Sequence, residues 1–239
     1  MTSPKPLEQK TAIVTGASRG IGFAVARKLG QLGARVAMCA RDSKRLSEAA
    51  KQLGGEGIHA LAIPADVSRA RDVEAMVQKA DEALGPADVV VNNAGIGFFG
   101  PVQEASEETW DSVLDTNLKS AFLMTRACAP GMIRRRSGHI INIASLAGKN
   151  AFTGGGIYCA SKWGLLGFTY CLAEDLRTHG IRVSAICPGT VATEFSPHSG
   201  KDPAKMLQSE DIAHAVETIV TQAPGSFISE ILLRPTQKP

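Results

Sequence analysis

Short runs rich in Val, Ile and Ala recur along this chain, each followed by a longer stretch whose apolar residues return at helical spacing. The runs cover residues 11–15, 35–40, 58–63, 88–92, 138–144, 181–187 and 228–233. Most are apolar nearly throughout, and none alternates as a sheet with one wet face would. Strands that are apolar on both sides belong in a parallel sheet covered by helices on both faces. The pattern predicts an α/β fold: a single domain on a doubly wound parallel sheet of about seven strands.

The intervening helices carry start signals. Ser68 precedes the helical stretch 69–84, Ser106 is followed by Glu107 and Glu108, and Ser209 by Glu210 and Asp211. Each serine is placed to cap, and the acidic residues face the positive end of a helix. One long loop stands out, 190–208, with Pro197, Gly200 and Pro203. Ligands of such a sheet bind outside the carboxyl ends of its strands, so this loop either covers a substrate or is slack surface chain. Residues 1–9, with Lys5 between Pro4 and Pro6, read as a loose tail.

At 239 residues, 44% hydrophobic and 21% charged, the chain has ordinary globular composition and length for one large core. A net charge of +3 demands neither nucleic acid nor a membrane surface. Arg134-Arg135-Arg136 reads as a solvated helix end whose cations complement the helix dipole. No apolar run approaches the roughly 18 residues of a spanning helix. The five cysteines, Cys39, Cys128, Cys159, Cys171 and Cys187, form no C-x-x-C pair and have no histidines at zinc-ligand spacing. A reduced, metal-free cytoplasmic protein is the expectation.

Candidate chemistry begins after the first strand, with Thr15-Gly16-Ala17-Ser18-Arg19-Gly20-Ile21-Gly22 running into an apolar helix. Strand, glycine turn and helix together form a cradle for a pyrophosphate. N–H groups at the helix start and the dipole's positive end attract it, and glycines let it approach the backbone. The spacing is G-x-x-x-G-x-G, not the commoner G-x-G-x-x-G, and a tight structural turn has the same composition. At the end of the second strand, where an Asp or Glu would hold a ribose 2′-hydroxyl, the chain has Ala40 followed by Arg41. Arg19 and Arg41 can converge on a 2′-phosphate, which points to NADP(H). Asp42 is either a ribose ligand in a shifted register or the cap of the next helix.

Tyr158 and Lys162 stand at i, i+4, on one helix face and roughly 5–6 Å apart at Cβ. A phenol titrates at about 10, and a unit charge about 5 Å away is worth on the order of 3 kcal/mol, roughly two pKa units. Lys162 is therefore expected to bring Tyr158 down toward a working acid/base range. Ser145 closes the fifth strand, at the sheet edge where such folds bind ligands, and can donate to a substrate oxygen or serve as a turn residue.

Taken together, the glycine turn, Asn92-Asn93-Ala94-Gly95, Asn117, Ser145, Tyr158 with Lys162, and Pro188-Gly189 fall in one order along residues 10–233. In this the chain resembles the short-chain dehydrogenase/reductase family, with its single Rossmann-type domain. The resemblance implies Tyr158 as proton donor and acceptor, Ser145 polarising the carbonyl, and Lys162 holding the nicotinamide ribose. By the same resemblance Asn117 anchors a water that relays protons to Lys162, and Asp66 and Val67 border the adenine. Asn93, Ala94 and Gly95 would line the cofactor, with Pro188, Gly189, Val191 and Thr193 forming the nicotinamide-side wall. Such proteins pair through the helices carrying Asn117 and Tyr158, so a homodimer or homotetramer is expected.

The expected reaction is hydride transfer between NADP(H) and a small-molecule carbonyl or secondary alcohol. The chain is similar to 3-oxoacyl-ACP/CoA reductases of the family. Residues 229–235 replace their glycine-rich ending, which turns the reading toward small hydroxy acids, hydroxy amino acids or assorted ketones. Within the loop 190–208, no residue selects among these by sequence. The reading of another class is a non-catalytic NADP(H)-binding sensor or partner module.

Overall fold

The computed structural model of the chain describes residues 5–195 and 202–237. Seven strands form one sheet: β1 Thr11–Thr15, β2 Arg35–Ala40, β3 Ala60–Pro64, β4 Val89–Asn92, β5 Gly138–Ile143, β6 Ile181–Pro188 and β7 Glu230–Leu233. The helices are α1 Gly20–Gln31, α2 Ser43–Gly55, α3 Ala70–Leu84, α4 Glu107–Leu114, α5 Ser120–Arg135, α6 Gly156–Arg177 and α7 Ser209–Val220. Every strand pair is parallel, in the order β3-β2-β1-β4-β5-β6-β7. The direction of winding reverses between β1 and β4, so the loops after these strands part there and open a crevice at the carboxyl edge. This is the expected single, doubly wound domain.

Strand residues alternate between two apolar layers, which explains their lack of polar alternation. Ala12, Val14, Val36 and Met38 face α1, α2 and α7, whereas Ile13, Ala37 and Val90 face α3, α5 and α6. The ladder of β3 starts at Ala60, two residues after the expected run, because the Ile58 N–H donates to Leu53 O (3.0 Å) and its side chain fills the space over Gly30. Likewise Ile228 precedes β7, with its N–H held by Gln222 Oε1 at 2.8 Å.

Helix starts depart from the serine pattern at two of three places. Ser106 does cap α4, accepting from the Thr109 N–H at 3.2 Å. Ser68, however, gives its hydroxyl to Asp66 (2.7 Å), and α3 begins from Arg69 with no side-chain cap. Ser209 is the first residue of α7, and the Asp211 carboxylate instead accepts from the Gln208 N–H at 2.7 Å. Asp42 caps α2 through the Arg45 N–H (3.0 Å).

The tail is also tighter than expected. Residues 1–4 lie outside the described residues, but Leu7 is buried against the α1 layer and its N–H donates to Leu32 O at 2.9 Å, so residues 5–9 are docked. Arg134 and Arg135 do end α5, and Arg135 reaches across to Ala87 O at 2.7 Å. Among the described residues no helix is long and apolar enough to cross a membrane.

A buried histidine gives this sheet an acid-sensitive point. Ser184 Oγ donates to Ile228 O at 2.6 Å, so the contact between His139 Nε2 and Ser184 Oγ (2.9 Å) requires the histidine to donate. His139 is held neutral, pushed down to about 3 by burial and then by the nearby Arg182 charge. Between that value and the unfolded value near 6.5, the unfolded chain binds the extra proton. Stability from this group is therefore complete above about pH 6.5 and is lost as pH falls toward 3. Denaturant unfolding should lose on the order of a few kcal/mol over this window, and His139→Gln, which keeps the donor but cannot titrate, should flatten the slope.

Candidate active site

The crevice is built where β1 and β4 end. Thr15 Oγ1 accepts from the N–H groups of Asn93 and Ala94, both at 3.0 Å, and the Asn93 amide donates to Thr15 O at 2.9 Å. This stitching brings the two loops so close that a Cβ on Gly22 would lie 2.3 Å from Gly16 O, and one on Gly16 (φ +64°) 2.9 Å from Ala94 Cα. Beyond them α1 starts at Gly20 with no side-chain cap on Arg19 and no acidic residue in its first turn. Its free N–H groups suit a phosphate-bearing ligand.

Charged residues gather beside this helix start. Arg19 pairs with Glu194, and Arg45 reaches the other oxygen of the same carboxylate at 3.0 Å. The Arg45 hydrogen bond and the Arg19 charge hold Glu194 below the usual carboxylate range. Arg41 and Asp42 line the same cleft, with Asp42 occupied as a cap. Burial raises Asp66, but the Ser68 hydrogen bonds, with Arg41 and Arg69, outweigh it and leave the carboxyl below its ordinary value.

On the other side of the sheet edge, α6 carries Tyr158 and Lys162. The Lys162 ammonium is buried and donates to Ile143 O, the last residue of β5, at 2.9 Å. It lies 5.9 Å from the Tyr158 ring centroid. Burial pushes Lys162 down to about 8. Tyr158 goes the opposite way from the expectation, to about 12, because burial outweighs its hydrogen bond with Ser145. Desolvation is the largest cause of the Tyr158 shift, and the ammonium spends a hydrogen bond on the Ile143 carbonyl. Burial thus favours the protonated phenol.

Asn117 differs from expectation in its surroundings. It sits in a π-helical turn, Asp115–Lys119, with both Nδ2 hydrogens engaged by Ile96 O (2.8 Å) and Ser161 Oγ (2.9 Å), and Oδ1 accepting from Ile96 N at 2.8 Å. The side chain is a strut between the β4 loop and α6. Its amide N–H groups are not open to a water.

One cleft of about 1730 Å³ joins these features. All the site residues read from the sequence line it except Gly22 and Asn117, which stand directly behind its wall. Pro188, Gly189, Val191 and Thr193 also line it, with the Gly189 N–H fixed to Leu233 O at 2.9 Å and Thr193 beside Gly20.

The profile of the short chain dehydrogenase family matches residues 10–204. This chain belongs to that family. A short-chain oxidoreductase from a metagenome, solved in complex with NADP, is 44% identical and superposes with a TM-score of 0.87 over 98% of this chain and 100% of its own. An alcohol dehydrogenase from Thermococcus sibiricus, complexed with 5-hydroxy-NADP, is 33% identical with a TM-score of 0.88 over 96% and 98% of the two chains. A Streptomyces violaceoruber protein, named for a ketoacyl reductase of the granaticin polyketide synthase, is 44% identical over 82% of this chain and 71% of its own.

Three features of this short-chain dehydrogenase escaped the sequence reading. A buried polar chain runs from the Asn92 amide to Asn142 and on to Thr169 Oγ1, each step 2.8 Å, and ties β4 and β5 to α6. The cationic cluster includes Arg45 and its anionic partner Glu194. Phe195, in the loop 190–208, stands 5.7 Å from the Tyr158 ring, so the described part of that loop carries a side chain to the candidate site. Pro197 and Gly200 lie outside the described residues. The Val191–Leu207 bridge pins the ends of the loop together.

Because the glycine turn is closed by backbone, Gly22→Ala should destabilise the fold by about 1–3 kcal/mol, roughly 2–12 °C in Tm. Gly55→Ala, at an α2 position whose added Cβ would meet nothing within 4 Å, should be neutral or stabilise by up to about 1 kcal/mol. Thermal melts of the two variants check the contrast.

Proposed function

We propose that this chain is an NADP(H)-dependent oxidoreductase that transfers a hydride between the nicotinamide and a carbonyl or secondary alcohol, with Tyr158 as acid/base. The observation that carries the reading is the convergence of Tyr158, Ser145 and Lys162 in one cleft with the open helix start and the arginine cluster. NADP in the metagenomic relative and 5-hydroxy-NADP in the Thermococcus enzyme support the choice of cofactor. The residues present fit such a group: side-chain-free Gly16 and Gly20 for close approach, Gly22 for the tight packing of the turn on α1, α1 for a pyrophosphate, and Arg19, Arg41 and Arg45 for a 2′-phosphate.

When bound, NADPH supplies the hydride, and the chain does the rest. Ser145 holds the carbonyl oxygen, and Tyr158, kept protonated by burial, gives its proton to the oxygen as negative charge develops. Lys162, whose ammonium bonds Ile143 O, would hold the nicotinamide ribose and stabilise the phenolate left behind. Overall one ketone, one NADPH and one proton give one secondary alcohol and one NADP⁺. A homodimer or homotetramer in the cytoplasm is the setting we assign to it, with exposed Phe122 of α5 and Trp163 of α6 as contact residues.

Reduction of a 3-oxoacyl thioester is the second reading, favoured by the likeness to the granaticin ketoacyl reductase. NADPH oxidation followed with simple ketones beside 3-oxoacyl thioesters separates the two.

Tyr158→Phe should reduce kcat by at least about 10²-fold while leaving NADPH affinity within about threefold. Retained turnover would remove Tyr158 from the chemistry. Coenzyme choice gives a second test. Arg19→Ala and Arg41→Ala should each weaken NADPH by about tenfold and NADH far less. Glu194→Gln, which removes the carboxylate that occupies the arginines, should instead tighten NADPH several-fold. Fluorescence titration with both coenzymes measures all three, and equal effects on NADPH and NADH would argue against a 2′-phosphate site.

A further inference from the structure

We propose that the substrate side of this cleft is an aryl-binding site and that the carbonyl substrate is an aryl ketone, its product a benzylic alcohol. This deepens the hydride-transfer reading and rests on it. Three phenylalanines from three separate loops carry the proposal: Phe99 after β4, Phe152 between β5 and α6, and Phe195 after β6. Phe99 and Phe195 lie 5.5 and 5.7 Å from the Tyr158 ring and 6.2 Å from each other, nearly edge to face at 79°. Phe152 extends the group, 6.3 Å from Phe99.

Single exposed apolar residues are ordinary on a protein surface, but these three are 39%, 47% and 41% exposed and all line the same cleft beside one buried phenol. Their positions are built, not incidental. Phe99 folds over Gly97, where a Cβ would lie 2.6 Å from its ring, and Phe152 folds over Gly155, where a Cβ would lie 2.5 Å from its ring. Ring pairs at 4.5–7 Å in tilted or edge geometry attract one another beyond their area. A further ring placed among these three continues that packing and puts its carbonyl substituent at Tyr158 and Ser145.

Charge separates this class from the acids. Among the described residues, the segments that bear Phe99 and Phe152 contribute no charged side chain to the cleft. Lys149, in the second of them, is turned to Glu230 (2.8 Å) and to Tyr170 Oη (2.7 Å). Asn150 spends its amide on Leu146 O at 3.3 Å. The cations that line the cleft, Arg19, Arg41, Arg45, Lys162 and Arg234, come from other segments, so a 2-oxo carboxylate seated among the three rings would face an apolar surface.

The test compares acetophenone with cyclohexyl methyl ketone, which has the same number of heavy atoms, and with 2-oxobutanoate. Initial rates are taken on the full chain with NADPH. Acetophenone should be preferred over the cyclohexyl ketone by about tenfold in kcat/KM, and over the oxo acid by more. Phe99→Leu and Phe195→Leu, both in partly exposed loops, should bring the aryl preference close to unity by raising KM with kcat within about threefold. Saturation-transfer NMR on Tyr158→Phe loaded with NADP⁺ reads aryl binding without turnover. An equal or inverted preference, a preferred oxo acid, or an aryl preference untouched by both leucine variants overturns the proposal. If no carbonyl is turned over, the hydride-transfer reading falls, and the NMR experiment decides the aryl site alone. Transfer to acetophenone that both leucine variants abolish keeps the site, and its absence overturns it.

Discussion

The close approach of the β1 and β4 loops is the constraint on which the rest of the cleft depends. A parallel sheet that reverses its winding leaves two adjacent strands whose loops diverge, and here the gap is held at a fixed width by one hydroxyl. Thr15 Oγ1 satisfies the Asn93 and Ala94 N–H groups just where the ladder ends, and the Asn93 amide returns to Thr15 O. That contact brings Gly16 and Gly22 so close to Asn93 and Ala94 that neither can carry a side chain, and the uncapped start of α1 beside them suits a phosphate.

The same logic reaches the opposite wall through buried polar links. Asn92, last in β4, donates to Asn142, which donates to Thr169 in α6. Lys162, two turns earlier on that helix, donates to Ile143 O. Buried amides and an ammonium are costly when unpaired, so each bond has one acceptable partner and the helix cannot slide along the sheet. Tyr158 is therefore positioned by strand ends, through α6, and not by the loops around it. The strut from Asn117 to Ser161 and Ile96 adds a third point of support.

Much of this was legible in the chain. Strand positions follow from runs apolar on both faces, and the glycine turn, Ser145, Tyr158 and Lys162 follow from their order and from the local chemistry of each residue. What the sequence did not disclose depends on tertiary packing. Ser68 looks like a cap until Asp66 claims its hydroxyl, and residues 5–9 look loose until Leu7 finds the α1 layer. Arg45 and Glu194 are separated by 149 positions, so nothing local announces that they share one ion pair with Arg19. Phe99, Phe152 and Phe195 come from loops without periodicity, and only the fold reveals that they meet. The phenol's direction of titration was misjudged for the same reason: charge spacing along a helix can be read from sequence, but burial cannot.

That last point changes how the proposed proton donor works. An exposed tyrosine beside a lysine would be drawn toward ionisation and would serve as a base as readily as an acid. Tyr158 is covered by Phe99 and Phe195 and stays protonated, while Lys162, also buried, is pushed down to about 8. Each group thus resists the charged form until the other, or the reacting oxygen, provides a counter-charge. A phenolate formed beside Lys162 restores the ammonium's preference for its proton, and the ammonium in turn lowers the free energy of the phenolate. In the proposed transfer this coupling would be strongest as charge develops within the desolvated site, so the apolar rings around Tyr158 would tune the electrostatics as well as shape the cleft.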